Sequence, residues 1–305
     1  MVNGLPASRS SFLAILPRIG TFFLLIVAAT AAAAADWHSG GPFVPTPQVV
    51  VDEMLSLARV TRDDFVIDLG SGDGRIVLTA ATRYQARGRG IELDGELVDL
   101  SNEEARRRGV DGLVGFRRED ALKARIDDAT VLTLYLLPEL LHALRDRIYS
   151  ELKPGARVVS HDFRFIDWAP DRTVTIDVAE KYGTPGTWQS TLYLWIVPAK
   201  MEGRWHAAVS GDGGTNYLLS FSQKFQHVEG HAIHGGERIP LHGVQVEANR
   251  IRFRLHEVQD GRESSREFTG TINANAINGV IVSQDGRAPW SATRVDTSAT
   301  LKLSP

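Results

Sequence analysis

The sequence of 305 residues contains no cysteine. This absence excludes a disulfide framework, a thiolate zinc site and a cysteine nucleophile. The sequence also lacks an excess of either charge, because 34 Lys and Arg stand against 37 Asp and Glu. A chain with this balance has no general electrostatic attraction for nucleic acid, so we expect no nucleic-acid partner. With 43% hydrophobic and 23% charged residues, the composition is that of a globular protein.

Residues 1–35 predict a signal peptide or an N-terminal anchor. Arg9 and Arg18 precede an apolar stretch, and the alanines at 31–35 supply the small residues that a signal peptidase requires. We expect cleavage just before Asp36, which would give a periplasmic or secreted protein. The alternative is an uncleaved anchor, because the apolar run is close to the shortest that spans a bilayer. In both cases the rest of the chain lies outside the cytoplasm, and only this segment contacts a membrane.

The remaining sequence divides into two regions with different patterns. From 41 to 198, segments with helical spacing alternate with short β-branched runs, which predicts a doubly wound α/β domain with a mainly parallel sheet. From 201 to 305, short alternating runs are separated by Gly, Asn and Asp turns, which predicts a small all-β barrel or sandwich. Residues 198–203 are expected to form the linker between the two domains.

The same patterns place the individual elements. In the first region, strands are predicted at 65–69, 87–93, 115–118, 130–134, 157–162, 173–178 and 191–197, and helices at 49–58, 75–83, 95–108 and 138–152. No helix separates the last two strands, so we expect them to form a hairpin-like edge. In the second region, strands are predicted at 217–222, 245–246, 250–256, 266–272 and 276–282.

The most specific motif is the run from Asp68 to Arg75, in which a buried strand ends in a glycine turn that opens a helix. Gly70, Gly72 and Gly74 allow the backbone to turn sharply and to approach a ligand closely. A dinucleotide-binding loop requires a third glycine where this sequence has Arg75. The D-x-G-x-G-x-G order therefore favours a nucleotide-type ligand of another kind.

This order resembles motif I of the class I S-adenosylmethionine-dependent methyltransferases. The resemblance implies a Rossmann-like seven-stranded methyltransferase fold with S-adenosyl-L-methionine as cofactor. Glu92 ends the next strand, where a carboxylate could accept from both ribose hydroxyls, and Asp120 is the candidate for the adenine amino group. Asp94 is interpreted as the start of the following helix, and any one of these acids could instead be a helix cap or a surface charge. The candidate cofactor-binding residues are Asp68, Gly70, Ser71, Gly72, Gly74, Glu92 and Asp120.

Three further motifs narrow the resemblance, namely V-P-T-P at 44–47, Y-L-L-P at 135–138 and S-H-D-F at 160–163. They resemble the lysine methyltransferases that include the mitochondrial ATP synthase c-subunit lysine N-methyltransferase and its bacterial relatives. The resemblance implies methylation of protein lysine, with a protein as the substrate. Tyr135, His161 and Asp162 are the catalytic candidates on the substrate side. The alternatives are plain packing for Tyr135 and an ordinary strand end for the other two.

The β-rich region offers weaker signals. His227, His231 and His234 lie in a stretch, 227–235, that predicts a strand and a loop. They have no carboxylates at defined spacing, so we expect no metal. The basic residues at 250, 252 and 254 predict a solvated face of a half-buried strand, with docking of a target as the alternative. A competing function for the whole chain is an exported binding or assembly module, because S-adenosylmethionine is made in the cytoplasm. The sequence does not indicate an oligomeric state.

Overall fold

The structure, a computed structural model, describes residues 43–181, 183–210, 215–259, 262–284 and 286–295. The signal peptide or anchor predicted at 1–35 lies outside the described residues. Within the described ranges, no helix has the length and apolar character needed to span a membrane.

The first domain is a seven-stranded sheet flanked by helices. Its helices are α1 (Gln48–Leu57), α2 (Arg75–Tyr84), α3 (Gly95–Arg107) and α4 (Pro138–Glu151). Its strands are β1 (Phe65–Leu69), β2 (Arg87–Glu92), β3 (Val114–Arg118), β4 (Val131–Leu134), β5 (Arg157–His161), β6 (Arg172–Lys181) and β7 (Thr184–Ile196). The order is β3-β2-β1-β4-β5-β7-β6, and β7 runs antiparallel to β5 and β6. The predicted Rossmann-like fold and its closing hairpin are confirmed.

Local chemistry explains where the helices begin. Helix α4 starts at Pro138, whose fixed φ and missing N–H suit the first helical position. Helix α3 is capped by Asp94, whose carboxylate accepts a hydrogen bond from the N–H of Glu96 at 2.9 Å. The interpretation of Asp94 as a helix start is therefore confirmed. Because β1, β2, β4 and β5 are parallel, their carboxyl ends meet at one edge of the sheet.

The second domain is a closed eight-stranded antiparallel barrel. Its strands are β8 (Gly203–Val209), β9 (Asn216–Lys224), β10 (His227–His234), β11 (Glu237–Glu247), β12 (Arg250–Gln259), β13 (Arg262–Asn273), β14 (Ala276–Ser283) and β15 (Gly286–Arg294). Pairing of β15 with β8 closes the ring, so the barrel alternative is correct and no strand edge stays open. Apolar side chains fill the interior, with the Phe253 ring 4.7 Å from that of Phe268.

The connection between the domains contains both buried and exposed residues, because Lys200 and Glu202 are exposed whereas Ala199 and Met201 are buried. Ala199 and Met201 are only 3% and 0% exposed. The N–H of Ala199 donates to the carbonyl of Ala248 in the barrel at 2.7 Å. The connection at 198–203 therefore packs against the barrel.

An aromatic contact joins the two domains. Phe225, in the turn between β9 and β10, stacks on Trp168 with ring centroids 4.9 Å apart and meets Tyr149 edge-on at 5.1 Å. The side-chain amide of the next residue, Gln226, donates to the backbone carbonyl of Ala169 at 2.6 Å. Phe225 thus belongs to the hydrophobic core of the sheet domain, although it is part of the barrel.

Candidate active site

The glycine loop after β1 has a backbone that requires glycine. Gly70, Gly72 and Gly74 have φ values of +75°, +53° and +77°. A Cβ atom on Gly70 would lie 2.7 Å from Leu136, and one on Gly72 would lie 2.3 Å from the Phe43 ring. The N–H groups of Gly70 and Ser71 both donate to the carbonyl of Ile91 at 2.9 Å, which fixes the loop to β2.

A cavity of about 840 Å³ opens beside this loop at the carboxyl edge of the sheet. Of the predicted site residues, it is lined by Asp68, Gly70, Ser71, Glu92 and Tyr135. Its volume suits a ligand of nucleoside size. The Ser71 hydroxyl is buried and has no hydrogen-bond partner among the described residues.

Glu92 is held where β2 ends. Its Oε2 accepts from the N–H of Gly72 at 2.8 Å, and its Oε1 accepts from the N–H groups of Leu93 and Asp94 at 2.7 and 3.1 Å. The Asp94 carboxylate lines the same cavity but caps α3. The carboxylate of Glu92 is thus fixed against the glycine loop, and its contact with a ribose stays a prediction.

Asp68 is a buried carboxyl group at the floor of the cavity. The Thr133 hydroxyl donates to its Oδ1 at 2.7 Å. Burial, together with the negative charges of Glu92 and Asp73, outweighs this hydrogen bond and raises the pKa of Asp68 to about 8. The carboxyl groups of Asp68 and Glu92 fit a cationic ligand, and S-adenosylmethionine carries both a sulfonium and an ammonium group.

Arg75 and Phe43 are site residues that the sequence interpretation missed. The Arg75 guanidinium pairs with Asp73 at 2.5 Å and donates to the carbonyl of Thr46 at 2.7 Å. This contact ties residues 43–47 to the glycine loop, with the Phe43 ring against Gly72. Two features of the sequence could have indicated these residues. Arg75 stands where dinucleotide-binding loops have a glycine, and Phe43 directly precedes the V-P-T-P motif before α1.

Asp120 is placed differently from the other candidates. Its Oδ1 accepts from the N–H of Leu122 at 2.9 Å, and its Oδ2 lies 3.3 Å from the Lys123 ammonium. The neighbours Glu119 and Ala121 line the cavity, whereas Asp120 is not among the lining residues described. Its carboxylate stabilises a local turn, as aspartate commonly does. An adenine contact for Asp120 stays a prediction.

The substrate-side candidates lie next to one another where β4 and β5 end. The Tyr135 ring centroid is 4.1 Å from that of His161 and 6.5 Å from that of Phe163. His161 is fully buried, and its Nε2 lies 2.9 Å from the Ser190 hydroxyl. Burial lowers the pKa of His161, and the nearby Lys181 ammonium lowers it further against the opposing effect of Asp162. The imidazole is therefore neutral near pH 7.

Asp162 forms an ion pair that no sequence motif indicated. It has a φ of +61°, and its Oδ2 lies 2.7 Å from the Lys181 ammonium at the end of β6. Its Oδ1 accepts from the N–H of Thr191 in β7 at 3.1 Å. The structure thus brings Tyr135, His161 and Asp162 together and adds Lys181 to them.

The histidines of the barrel have other partners. The Nδ1 of His234 lies 2.9 Å from the carbonyl oxygen of Asn216, and an Arg238 guanidinium nitrogen lies 3.2 Å from the Nδ1 of His231. In the part of the chain that the structure describes, no three potential metal ligands lie together.

The strand order, the glycine loop and the carboxylate at the end of β2 define a class I S-adenosylmethionine-dependent methyltransferase. Residues 68–172 match the family model described as the ANTKMT methyltransferase domain. The chain is 36% identical over 157 residues to a protein-lysine N-methyltransferase of Saccharolobus islandicus, covering 51% of this chain and 93% of that protein. It belongs to the methyltransferase family that includes this archaeal protein. The resemblance inferred from the motifs is confirmed.

Two further proteins are similar to about half of this chain. The adenine nucleotide translocase lysine N-methyltransferase of Mus musculus is 39% identical over 129 residues, 42% of this chain and 56% of the mouse protein. A crystal structure described as an RNA methyltransferase from Salinibacter ruber, with S-adenosyl-L-homocysteine, is 48% identical and covers 52% of this chain and 96% of that chain, with a TM-score of 0.46. The chain thus spans only about half the length of the mouse relative.

Proposed function

We propose that this protein transfers the methyl group of S-adenosylmethionine to lysine side chains of a protein. One observation carries the proposal: a single cavity extends from the carboxyl groups of Asp68 and Glu92 to Tyr135. The cofactor supplies a methyl group on a cationic sulfonium, open to in-line displacement by a lone pair. The chain's own residues have to bind it, align the acceptor and exclude water.

The residues around the glycine loop would hold the cofactor. Asp68 gives the cavity a carboxyl group that ionises most readily when a cation lies beside it. Glu92 accepts three backbone N–H groups and would also accept from the ribose hydroxyls. Gly70 and Gly72 leave room for the side chains of Leu136 and Phe43, which line the cavity.

On the other side of the cavity, the acceptor has to arrive as a neutral amine. A lysine in water has a pKa of about 10.4, and removing the amine from water lowers that value. Tyr135 offers an aromatic wall, and the neutral ring of His161 behind it adds no positive charge. In the transfer, the lysine nitrogen forms a bond to the methyl carbon while the carbon–sulfur bond breaks, and the amine proton goes to solvent.

We also propose that the methyltransferase works outside the cytoplasm, either exported or anchored. The support is the sequence of residues 1–35, with its arginines, apolar run and alanines. Fractionation of cells that express a C-terminally tagged full-length chain tests this. Recovery of the protein in the periplasm, the medium or the membrane fraction is the expected result, and recovery in the cytoplasm alone contradicts it.

The function itself can be tested with radiolabelled S-adenosylmethionine and three acceptors: poly-L-lysine, a total protein extract and total RNA. We expect label in methyllysine after acid hydrolysis, and less of that label in Glu92→Ala when the cofactor concentration is limiting. Label in RNA alone would instead give this chain the activity that describes the Salinibacter protein. Absence of saturable cofactor binding would support the competing binding or assembly module.

A further inference from the structure

The acceptor side contains a pair of opposite charges that the proposed reaction does not use. The side chains of Lys181 and Asp162 are only 9% and 13% exposed, and their charged atoms are 2.7 Å apart. The Lys181 ammonium also donates to the carbonyl of Gln189, and the N–H of Thr191 donates to Asp162. The pair is thus held from β5, β6 and β7 together.

Such a pair is a poor way to stabilise a fold. Removing two charges from water costs free energy that their attraction only partly offsets, and an apolar pair of similar size often packs as well. Stability alone therefore does not explain why charged side chains occupy this position. The location does suggest a reason, because Asp162 is adjacent to His161, whose ring lies against Tyr135 at the cavity.

On the basis of the function proposed above, we propose that Lys181 is a positioning residue that neutralises Asp162, so that an incoming lysine meets no free carboxylate that would keep it protonated. A carboxylate near an amine favours the ammonium form, which has no lone pair to attack the methyl group. With Lys181 in place, the pair of Lys181 and Asp162 is neutral overall.

The charged and titratable groups around Asp162 come from three elements. They are His161 on β5, Lys181 on β6 and Tyr135 after β4, while Ser190 and Thr191 of β7 are neutral. Without Lys181, the carboxylate would favour the protonated form of both His161 and the acceptor amine. Without the carboxylate, Lys181 would favour the neutral forms. The two single changes therefore have opposite electrostatic effects.

Three variants test this opposition: Lys181→Met, Asp162→Asn and the double variant. Asparagine tolerates the positive φ at position 162. We measure the rate of methyl transfer to poly-L-lysine against pH. The midpoint of the profile should move up by about one pH unit or more in Lys181→Met and down in Asp162→Asn, and it should return in the double variant. A purely structural role predicts lower rates without opposite shifts.

Two measurements independent of turnover complete the design. Calorimetric affinity for S-adenosylmethionine should be unchanged in Lys181→Met, and the NMR titration of His161 should move to higher pH. Identical midpoints in both single variants, or shifts in the same direction, would overturn the proposal. If Lys181→Met does not fold, the downward shift in Asp162→Asn and its reversal in the double variant decide the question. If the unchanged protein methylates no lysine, the His161 titrations still test the charge balance, while the proposed function fails.

Discussion

The two domains of this protein differ in how many polar groups they bury. Among the described residues, every buried Ser, Thr, Asp, Lys or His lies between Thr46 and Ser190, in the sheet domain. The barrel interior is mainly aliphatic and aromatic, with a polar cluster in which the Tyr217 hydroxyl donates to Glu257 at 2.8 Å and accepts from Arg266 at 2.9 Å. Because burying a polar group costs free energy unless it is well paired, its presence calls for a reason. At the carboxyl edge of the sheet that reason is the proposed chemistry, whereas the barrel interior is mainly apolar.

The largest expected effect follows from Gly72→Val in the glycine loop. The new side chain would collide with the Phe43 ring and require a φ of +53°, so cofactor binding should be lost while the protein stays folded. Titration calorimetry and thermal unfolding measure the two properties. Gly109→Val is the matched control, because it imposes a similar φ of +67° with no atom within 4 Å. An unchanged dissociation constant in Gly72→Val contradicts the site.

A change at the domain contact should affect stability rather than binding. Phe225→Ala removes a ring that is 8% exposed and stacked on Trp168, and we expect a loss of about 3–5 kcal/mol in the free energy of unfolding. Chemical denaturation measures this loss. The affinity for S-adenosylmethionine in the absence of denaturant should not change. A large drop in affinity would show that the barrel contributes to the site itself.

Asp68→Asn should change both the pH dependence of stability and the affinity for the cofactor. The raised pKa of about 8 means that the folded state holds a proton that the unfolded chain, with an ordinary pKa of 3.8, releases. This contribution to stability is full below about pH 4 and is lost as the pH rises through about 8. The variant should lose less stability across that window and should bind the cofactor more weakly at pH 8. Thermal unfolding between pH 4 and 9 and calorimetry check both, and parallel stability curves would refute it.

The smallest effects are expected from changes to the two acids at the end of β2, Glu92 and Asp94. Glu92→Ala should weaken cofactor affinity about tenfold or more, because charge-assisted hydrogen bonds are worth about 1.5–3 kcal/mol. Asp94→Ala should cost about 1 kcal/mol of stability through the lost cap of α3, with little change in binding. Calorimetry of both variants decides between them. Equal or reversed losses would move the ribose contact to Asp94.

The sheet domain could be predicted closely because its signals are local. Pro138 marks the start of α4, and the glycine run marks the turn after β1. Lys181 could not be found this way. A register shift between Val178 and Glu180 interrupts the alternation on β6, so the predicted strand stopped at 178. The same shift moves Lys181 to the buried face, where it meets a carboxylate at the end of another strand.

The barrel was harder to predict in detail. Strands β8 and β15 were not predicted, and most of β11 was missed because Pro240 and Gly243 interrupt its pattern. The choice between a barrel and a sandwich depends on whether β15 pairs with β8. No local pattern contains that information, because the two strands lie at opposite ends of the domain's sequence. The local turn in which the Asp120 carboxylate accepts from the N–H of Leu122 was also beyond prediction.

The pairing of β15 with β8 also means that the barrel closes only when its last strand is in place. The pairs from Trp290 with Val209 to Arg294 with Trp205 join the last described strand to the first strand of the barrel. A chain interrupted after β14 would carry two unpaired edges, on β8 and β14, each a template for aggregation. The same ring of strands supports the turn that inserts Phe225 into the sheet domain. Completion of the final strand therefore governs both the solubility of the whole chain and the docking of its two halves.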